Sequence, residues 1–367
     1  MAKSHQATTI NLATLALMST LFLLTNNAHS VVIPDNHVAL FIFGDSLYDV
    51  GMNSYFKHGT LSTYLPYGET FFGKPTGRYC NGRVLPDFVA EFANLPLLPP
   101  YLQPGLSNYT DGVNFASAGA CVLVDTRPGT INLKMQVDYF EEMVTKLKSQ
   151  IGEAEVNKLL GNAVYLFSIG GNDYVSFVTA NLNKPALSAS YKREYISTVL
   201  GNLTAHITTI YNTGGRKFAF QNVGPIGCMP STKALYTGDV GNCVNDPQTL
   251  AKTHNAVFLG IVQKLQTQLS GFKYSVFDYY SAAANRVVYN TRYGFNQSKT
   301  ACCGSGAYNG AFTCGSPTVK FQVCSDPSDY LWFDAAHPTE KANQQYAQLF
   351  WDGAAPNTLK VLFSTTT

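Results

Sequence analysis

Phe43-Gly44-Asp45-Ser46-Leu47 follows the apolar run Val38-Ala39-Leu40-Phe41-Ile42, and far downstream stands Asp334-Ala335-Ala336-His337-Pro338. A strand that ends in a Gly-Asp-Ser turn sets a serine hydroxyl at the carboxyl edge of a sheet, where open α/β folds bind ligands. An alcohol at its ordinary pKa is a poor nucleophile, so a base must take its proton as attack occurs. Asp334 and His337, three residues apart, can supply that base. The carboxylate holds the imidazole within one local turn, fixes its tautomer and stabilises the imidazolium formed during attack. Each residue has a plainer reading alone: His337 as a helix-start residue before Pro338, Asp334 as a helix cap. Asp45, adjacent to the serine, reads as a hydrogen-bonding residue that holds the turn. Ser46, His337 and Asp334 together point to acyl transfer from an ester.

Negative charge on a tetrahedral intermediate needs donors. Ser46 can offer its own backbone N–H at the strand-to-helix turn. Gly112-Val113-Asn114-Phe115-Ala116-Ser117-Ala118-Gly119 is a strand entering a small-residue loop, where Gly119 can bring its N–H close to a substrate oxygen. Phe167-Ser168-Ile169-Gly170-Gly171-Asn172-Asp173-Tyr174 also ends a strand, and Asn172 carries a side-chain amide. One such donor typically contributes about 3–4 kcal/mol to the transition state, so these groups rival the base in weight.

The elements that must carry these blocks are strands alternating with helices. β-Branched and aromatic runs at 38–43, 112–116, 163–169, 217–223 and 274–279 read as strands. Apolar spacings of three and four predict helices over 186–212, 247–270 and 338–351, the last with Pro338 in its first turn. Such alternation implies an α/β fold: a mainly parallel, flavodoxin-like sheet between two helical layers.

The chain has 367 residues, 46% of them hydrophobic, enough for one large core. Without repeats or linkers, residues 31–367 read as a single catalytic domain. Residues 1–30 read as a secretory signal peptide, with Lys3, an apolar stretch from Leu12 to Leu24 and Ala28-His29-Ser30 for cleavage. That stretch is short for a membrane anchor, and no later segment suits stable membrane insertion. The expected localisation is extracellular. A formal charge of +2 without a basic stripe gives no support to nucleic-acid binding.

Eight cysteines fit an oxidising destination. Cys228 and Cys243 flank a short loop, and Cys302, Cys303, Cys314 and Cys324 crowd a Gly- and Ser-rich segment that disulfides would staple. Zinc is the weaker alternative, because no histidine or Cys-x-x-Cys knuckle accompanies them. Cys80 and Cys121 are either paired or buried free thiols. Sequons at Asn108, Asn202 and Asn296 are glycan sites in a secreted chain.

Taken together, these blocks resemble the GDSL esterase/lipase family of the SGNH hydrolases, its secreted plant branch in particular. The resemblance runs from about residue 37 to residue 353. It rests on Phe-Gly-Asp-Ser at 43–46, Gly-Val-Asn-Phe-Ala-Ser at 112–117, Gly-Gly-Asn-Asp at 170–173 and Asp-Ala-Ala-His-Pro-Thr-Glu at 334–340. Thr-Gly-Arg at 76–78, Asn-Gly-Arg at 81–83, Gly-Pro-Ile-Gly-Cys-Met-Pro at 224–230 and Cys-Cys-Gly at 302–304 before Tyr308-Asn309-Gly310 add to it. The resemblance implies the SGNH hydrolase fold, with Ser46 as nucleophile and His337 as base oriented by Asp334. It also implies an oxyanion hole from the N–H groups of Ser46 and Gly119 and the amide of Asn172. The implied substrate is a small-molecule acyl ester, and no metal or organic cofactor is required. Two departures stand out: Ala118 replaces a common glycine, implying a narrower site, and Met52 replaces an asparagine, implying a more apolar pocket edge. Specificity is expected from the loops Leu123 to Met135 and Tyr55 to Tyr79. An acyltransferase using the same three residues is the first alternative, a non-catalytic secreted binding protein the second.

Overall fold

The computed structural model describes residues 33–56, 60–185, 187–236, 241, 243–353 and 358–364. The expected signal segment, residues 1–30, lies outside them. Five strands, β1 (Leu40–Gly44), β2 (Gly112–Asn114), β3 (Val164–Ser168), β4 (Lys217–Gln221) and β5 (Lys273–Phe277), form one sheet in the order β2-β1-β3-β4-β5. Every pairing is parallel, with Leu40 opposite both Gly112 and Val164, and Lys217 opposite both Val164 and Lys273. This is the flavodoxin-like order predicted from the alternation. Each strand lies at an expected run.

Parallel strands bury both faces, and here the two faces differ in chemistry. Odd positions of β1 and β3 point one way: Phe41, Phe43, Tyr165 and Phe167 join Phe115, Phe218 and Phe220 in one core. Their rings stack across the strands, Phe43 lying 4.9 Å from Phe167 and 5.1 Å from Phe115. Such pairs add about 0.5–1.5 kcal/mol each beyond area burial. The other face is aliphatic, with Leu40, Ile42, Val164, Leu166 and Ala219.

Helices cover both faces. On the aromatic side lie α2 (Leu133–Ile151), α3 (Glu153–Asn162), α4 (Gly171–Asn181), α5 (Ala189–Thr213) and α7 (Asn245–Gln268), with Phe140, Leu159, Tyr174, Leu203 and Phe258 in the shared core. On the aliphatic side lie α1 (Leu85–Phe92), α8 (Tyr279–Val288), α9 (Glu340–Asp352) and α10 (Leu359–Phe363), through Phe88, Val287, Phe350 and Leu362. A short α6 (Pro230–Ala234) follows β4. The sequence spacing over 338–351 needs one correction at its start. Thr339 is the N-cap, its side chain accepting from the Ala342 N–H, so Pro338 lies just outside the helix. Among the described residues, no helix is long and apolar enough to cross a membrane.

Three disulfides join Cys228 to Cys243, Cys302 to Cys324 and Cys303 to Cys314. Sulfurs so joined cannot act as thiolate ligands for zinc. Cys80 and Cys121 are buried free thiols.

Candidate active site

β1 delivers the serine block. A Cβ on residue 44 would meet the Ser168 carbonyl oxygen at 2.4 Å, so only glycine lets β1 leave the sheet so close to β3. Gln136 of α2 secures the turn from both sides. Its Oε1 accepts from the Gly44 N–H at 2.9 Å and its Nε2 donates to the Gly44 carbonyl at 2.8 Å. Asp45 is buried, and its Oδ1 accepts from the Leu47 N–H at 3.0 Å. This is the turn-holding part expected of it. Ser46, half-buried, is left on the wall of a cleft of about 520 Å³.

His337 comes from the tip of a tight hairpin. Phe333 donates its N–H to the His337 carbonyl at 2.7 Å, and Thr339 donates to the Leu331 carbonyl at 3.1 Å. In the loop closed by the first rung, Asp334 turns back on its own backbone, with Oδ1 accepting from the N–H groups of Ala336 and His337 at 2.9 Å each. The same carboxylate lies 2.7 and 2.8 Å from His337 Nδ1, while His337 Nε2 lies 2.7 Å from Ser46 Oγ. The three residues named from the sequence therefore meet. Asp334 does not cap α9. Burial alone would raise its carboxyl pKa, but the His337 charge and hydrogen bond, the Tyr67 hydroxyl and the Ala336 N–H outweigh burial and hold it below the usual range.

Opposite the base, Gly119, in the left-handed region at φ 84°, and Asn172 line the same cleft. Neither Ser46 nor Gly119 donates its N–H to a protein acceptor among the described residues, although Leu47, Ala118 and Ala120 beside them do. Asn172 Nδ2 spends one hydrogen on the Ala120 carbonyl at 3.0 Å, which fixes the amide and leaves its second hydrogen.

Sequence reasoning missed the groups that hold this side in place. Asp49 accepts from Gly51 and Met52 with one oxygen, at 2.7 and 2.6 Å, and from Ala118 with the other at 2.8 Å. Asp173 accepts from Val122 and Leu123 at 2.9 and 3.0 Å. The Gly119 loop is thus pinned at both ends by buried carboxylates. Burial pushes Asp45, Asp49 and Asp173 each up to about 6, against the backbone hydrogen bonds that pull them down.

Tyr67 was missed as well: its buried hydroxyl donates to Asp334 Oδ2 at 2.6 Å. Its partner lies 267 residues away, beyond any local signal.

One expectation about the pocket needs correction. Met52 is fully buried in the aromatic core and does not reach the cleft, because its N–H is drawn back onto Asp49. From the two loops expected to set specificity, Leu61, Tyr79 and Arg127 line the cleft among the described residues. Much of the wall instead comes from Val223, Pro225, Ile226 and Met229 after β4, with Phe312 and Trp332. The Gly- and Pro-rich composition of 224–230 was the available signal for an irregular wall segment. The Thr-Gly-Arg and Asn-Gly-Arg blocks build scaffold: Arg78 grips Asp87 bidentately at 2.8 and 2.7 Å, and Arg83 bonds Glu340 at 2.7 Å. Asn108, Asn202 and Asn296 are all exposed.

Comparison with known proteins points the same way. The family model for GDSL-like lipase/acylhydrolase matches residues 40–350. GDSL esterase/lipase 5 of Arabidopsis thaliana is 43% identical over 87% of this chain and 84% of its own length. GDSL esterase/lipase 1 of the same plant is 43% identical over 89% of this chain and 90% of its own. The inactive GDSL esterase/lipase-like protein 25, also from Arabidopsis thaliana, is 37% identical over 87% of this chain and 72% of its own length. A parallel sheet in this order, three blocks at its carboxyl edge with the fourth brought to them by the hairpin, and these likenesses lead to one conclusion: the chain belongs to the GDSL-like lipase/acylhydrolase family.

Proposed function

We propose that the protein is a secreted serine carboxyl-ester hydrolase, one catalytic domain over residues 31–367, working through an acyl-enzyme. The observation that carries this reading is the unbroken run from Asp334 through His337 to Ser46, with 2.7 Å at each step, on the wall of a cleft. Ser46 Oγ attacks the ester carbonyl as His337 Nε2 takes its proton, and Asp334 stabilises the imidazolium. The developing oxyanion is received by the N–H groups of Ser46 and Gly119 and by Asn172 Nδ2. His337 then protonates the departing alcohol, and water activated by the same imidazole clears the acyl group. Three disulfides support the extracellular destination, where oxidised cysteines persist. The exposed sequons at Asn108, Asn202 and Asn296 then carry glycans.

The test is labelling with a fluorophosphonate, mapped by mass, beside turnover of a panel of acyl esters. Ser46 is the expected adduct site, and Ser46→Ala loses turnover while its thermal unfolding stays unchanged. An unlabelled Ser46, or turnover that survives Ser46→Ala, overturns the reading. Adding an alcohol and measuring acid against new ester separates hydrolysis from acyl transfer, since both leave from the same intermediate.

A further inference from the structure

The lining of the cleft is of two kinds. Val223, Ile226, Met229 and Phe312 are apolar. Arg127 is the only arginine or lysine among the described residues that line the cleft. Its Nε donates to Ser176 Oγ at 2.9 Å. Among the described residues it forms no ion pair, and neither terminal guanidinium nitrogen has a protein acceptor.

The anchor fixes where this charge sits. Ser176 follows Asn172 by four residues on α4, and Val175, between them, also lines the cleft. Residues four apart on a helix are surface neighbours about 5–6 Å apart. The guanidinium is therefore seated about one helical turn from the amide proposed to receive the oxyanion. Asp45 and Asp173 both feel its charge, but their bonded carboxylate oxygens take the N–H groups of Leu47, Val122 and Leu123. Neither closes the arginine fork. A planar guanidinium with two free terminal nitrogens matches an oxyanion bidentately.

We propose that Arg127 is a specificity residue that receives a carboxylate or phosphate of the substrate, about one helical turn from the scissile carbonyl, while the apolar lining takes the rest of the substrate. The preferred ester is thus amphipathic and anionic. This inference rests on the ester-hydrolase reading, and its test separates the two.

Initial rates of ethanol release are compared for ethyl hydrogen adipate, ethyl 5-phosphonopentanoate and the neutral isostere ethyl adipamate. The anionic-to-neutral ratio of kcat/KM falls about tenfold in Arg127→Gln and recovers in part in Arg127→Lys, as expected for a lost charge-assisted hydrogen bond. Preference between the two anionic esters distinguishes carboxylate from phosphate. A ratio unmoved by Arg127→Gln overturns the inference, and so do equal falls on charged and neutral esters, the result if Arg127 only balances Asp45 and Asp173. Binding of adipamic acid by titration calorimetry, against neutral adipamide, reads the same site without turnover. If the fluorophosphonate leaves Ser46 unlabelled, the hydrolase reading fails, while calorimetric loss of the anion preference in Arg127→Gln still decides this one.

Discussion

The two sides of the cleft are held by different physics. The Gly119 and Asn172 side grows from the carboxyl edge of the sheet, and its loop is tied down by the buried carboxylates of Asp49 and Asp173. The Asp334 and His337 side lies on a hairpin with little regular structure behind it. Its strand is met by the N–H groups of Cys302 and Cys303, which donate to the carbonyls of Trp332 and Phe333 at 3.0 and 2.7 Å. Both cysteines are disulfide-bonded, and with Tyr67, Cys314 and Phe333 they form a small core of their own. Where the sheet supplies a rigid edge, charge on short side chains suffices to position backbone donors. Where it does not, covalent staples and aromatic packing take over.

Removing Asp49 is the strongest way to break the first side. Asp49→Ala orphans the N–H groups of Gly51, Met52 and Ala118, and at about 1–3 kcal/mol per buried orphan the expected loss is at least about 3 kcal/mol. Asp49→Asn keeps an acceptor oxygen and recovers much of it. Chemical denaturation of both variants checks this, and equal stability of the alanine and asparagine forms would show that the carboxylate is not the tie. The second side breaks through its staples. Replacing Cys302 and Cys324 together by serine opens a link spanning 22 residues, for a loss of about 2–4 kcal/mol. Turnover should then fail on heating before the helical circular-dichroism signal does, because the sheet has its own core. Simultaneous loss of both signals would contradict the contrast.

The sequence made these sides legible to different degrees. Strand order, the alternation and the residues at each strand end could be read because they depend on local runs such as Leu40 to Gly44. Ser46, Gly119, Asn172, Asp334 and His337 stood out by residue type within short blocks. Helix α2 had an apolar stripe through Leu133, Val137, Phe140 and Leu147 that the spacing argument left unassigned. What could not be read depends on distant pairing. Asp49 reaches Ala118 across 69 residues, Asp173 reaches Val122 across 51, and Tyr67 finds Asp334 only after the hairpin has formed. Met52 shows the converse limit: its substitution looked like a pocket change, and the fold buries it.

Tyr67→Phe sharpens the comparison on the base side. It deletes only the hydroxyl that donates to Asp334 Oδ2, leaving the ring against Phe333 at 5.3 Å and Tyr79 at 5.6 Å. A hydrogen bond to a charged group contributes about 1.5–3 kcal/mol, so stability falls by at most that much. The specific readout is the pH profile. Without the hydroxyl, the Asp334 carboxyl rises toward the usual range, so the acid limb of kcat/KM moves to higher pH. A rate loss with an unmoved acid limb would mean that Tyr67 only packs.

The last effect is the dependence of stability on acid, and here the two sides have opposite signs. Asp45, Asp49 and Asp173 are raised from 3.8 to about 6, so between those values the folded chain binds protons that the unfolded chain does not. Their contribution therefore increases as pH falls through about 6, by at most about 1.4 kcal/mol per pH unit for each group. Asp334 is lowered below 3.8, so the stability it adds is present above that value and is lost as pH falls through its folded pKa. Asp173→Asn should flatten the rise in stability between neutral pH and about pH 4, as read from denaturation midpoints in a pH series. Tyr67→Phe should instead leave that slope alone and flatten the loss of stability at lower pH, by weakening the depression of Asp334. If Asp173→Asn left the slope unchanged, the carboxylate tying Val122 and Leu123 would have to titrate as it does in the unfolded chain. The Gly119 loop would then owe its position to Asp49 and the sheet edge.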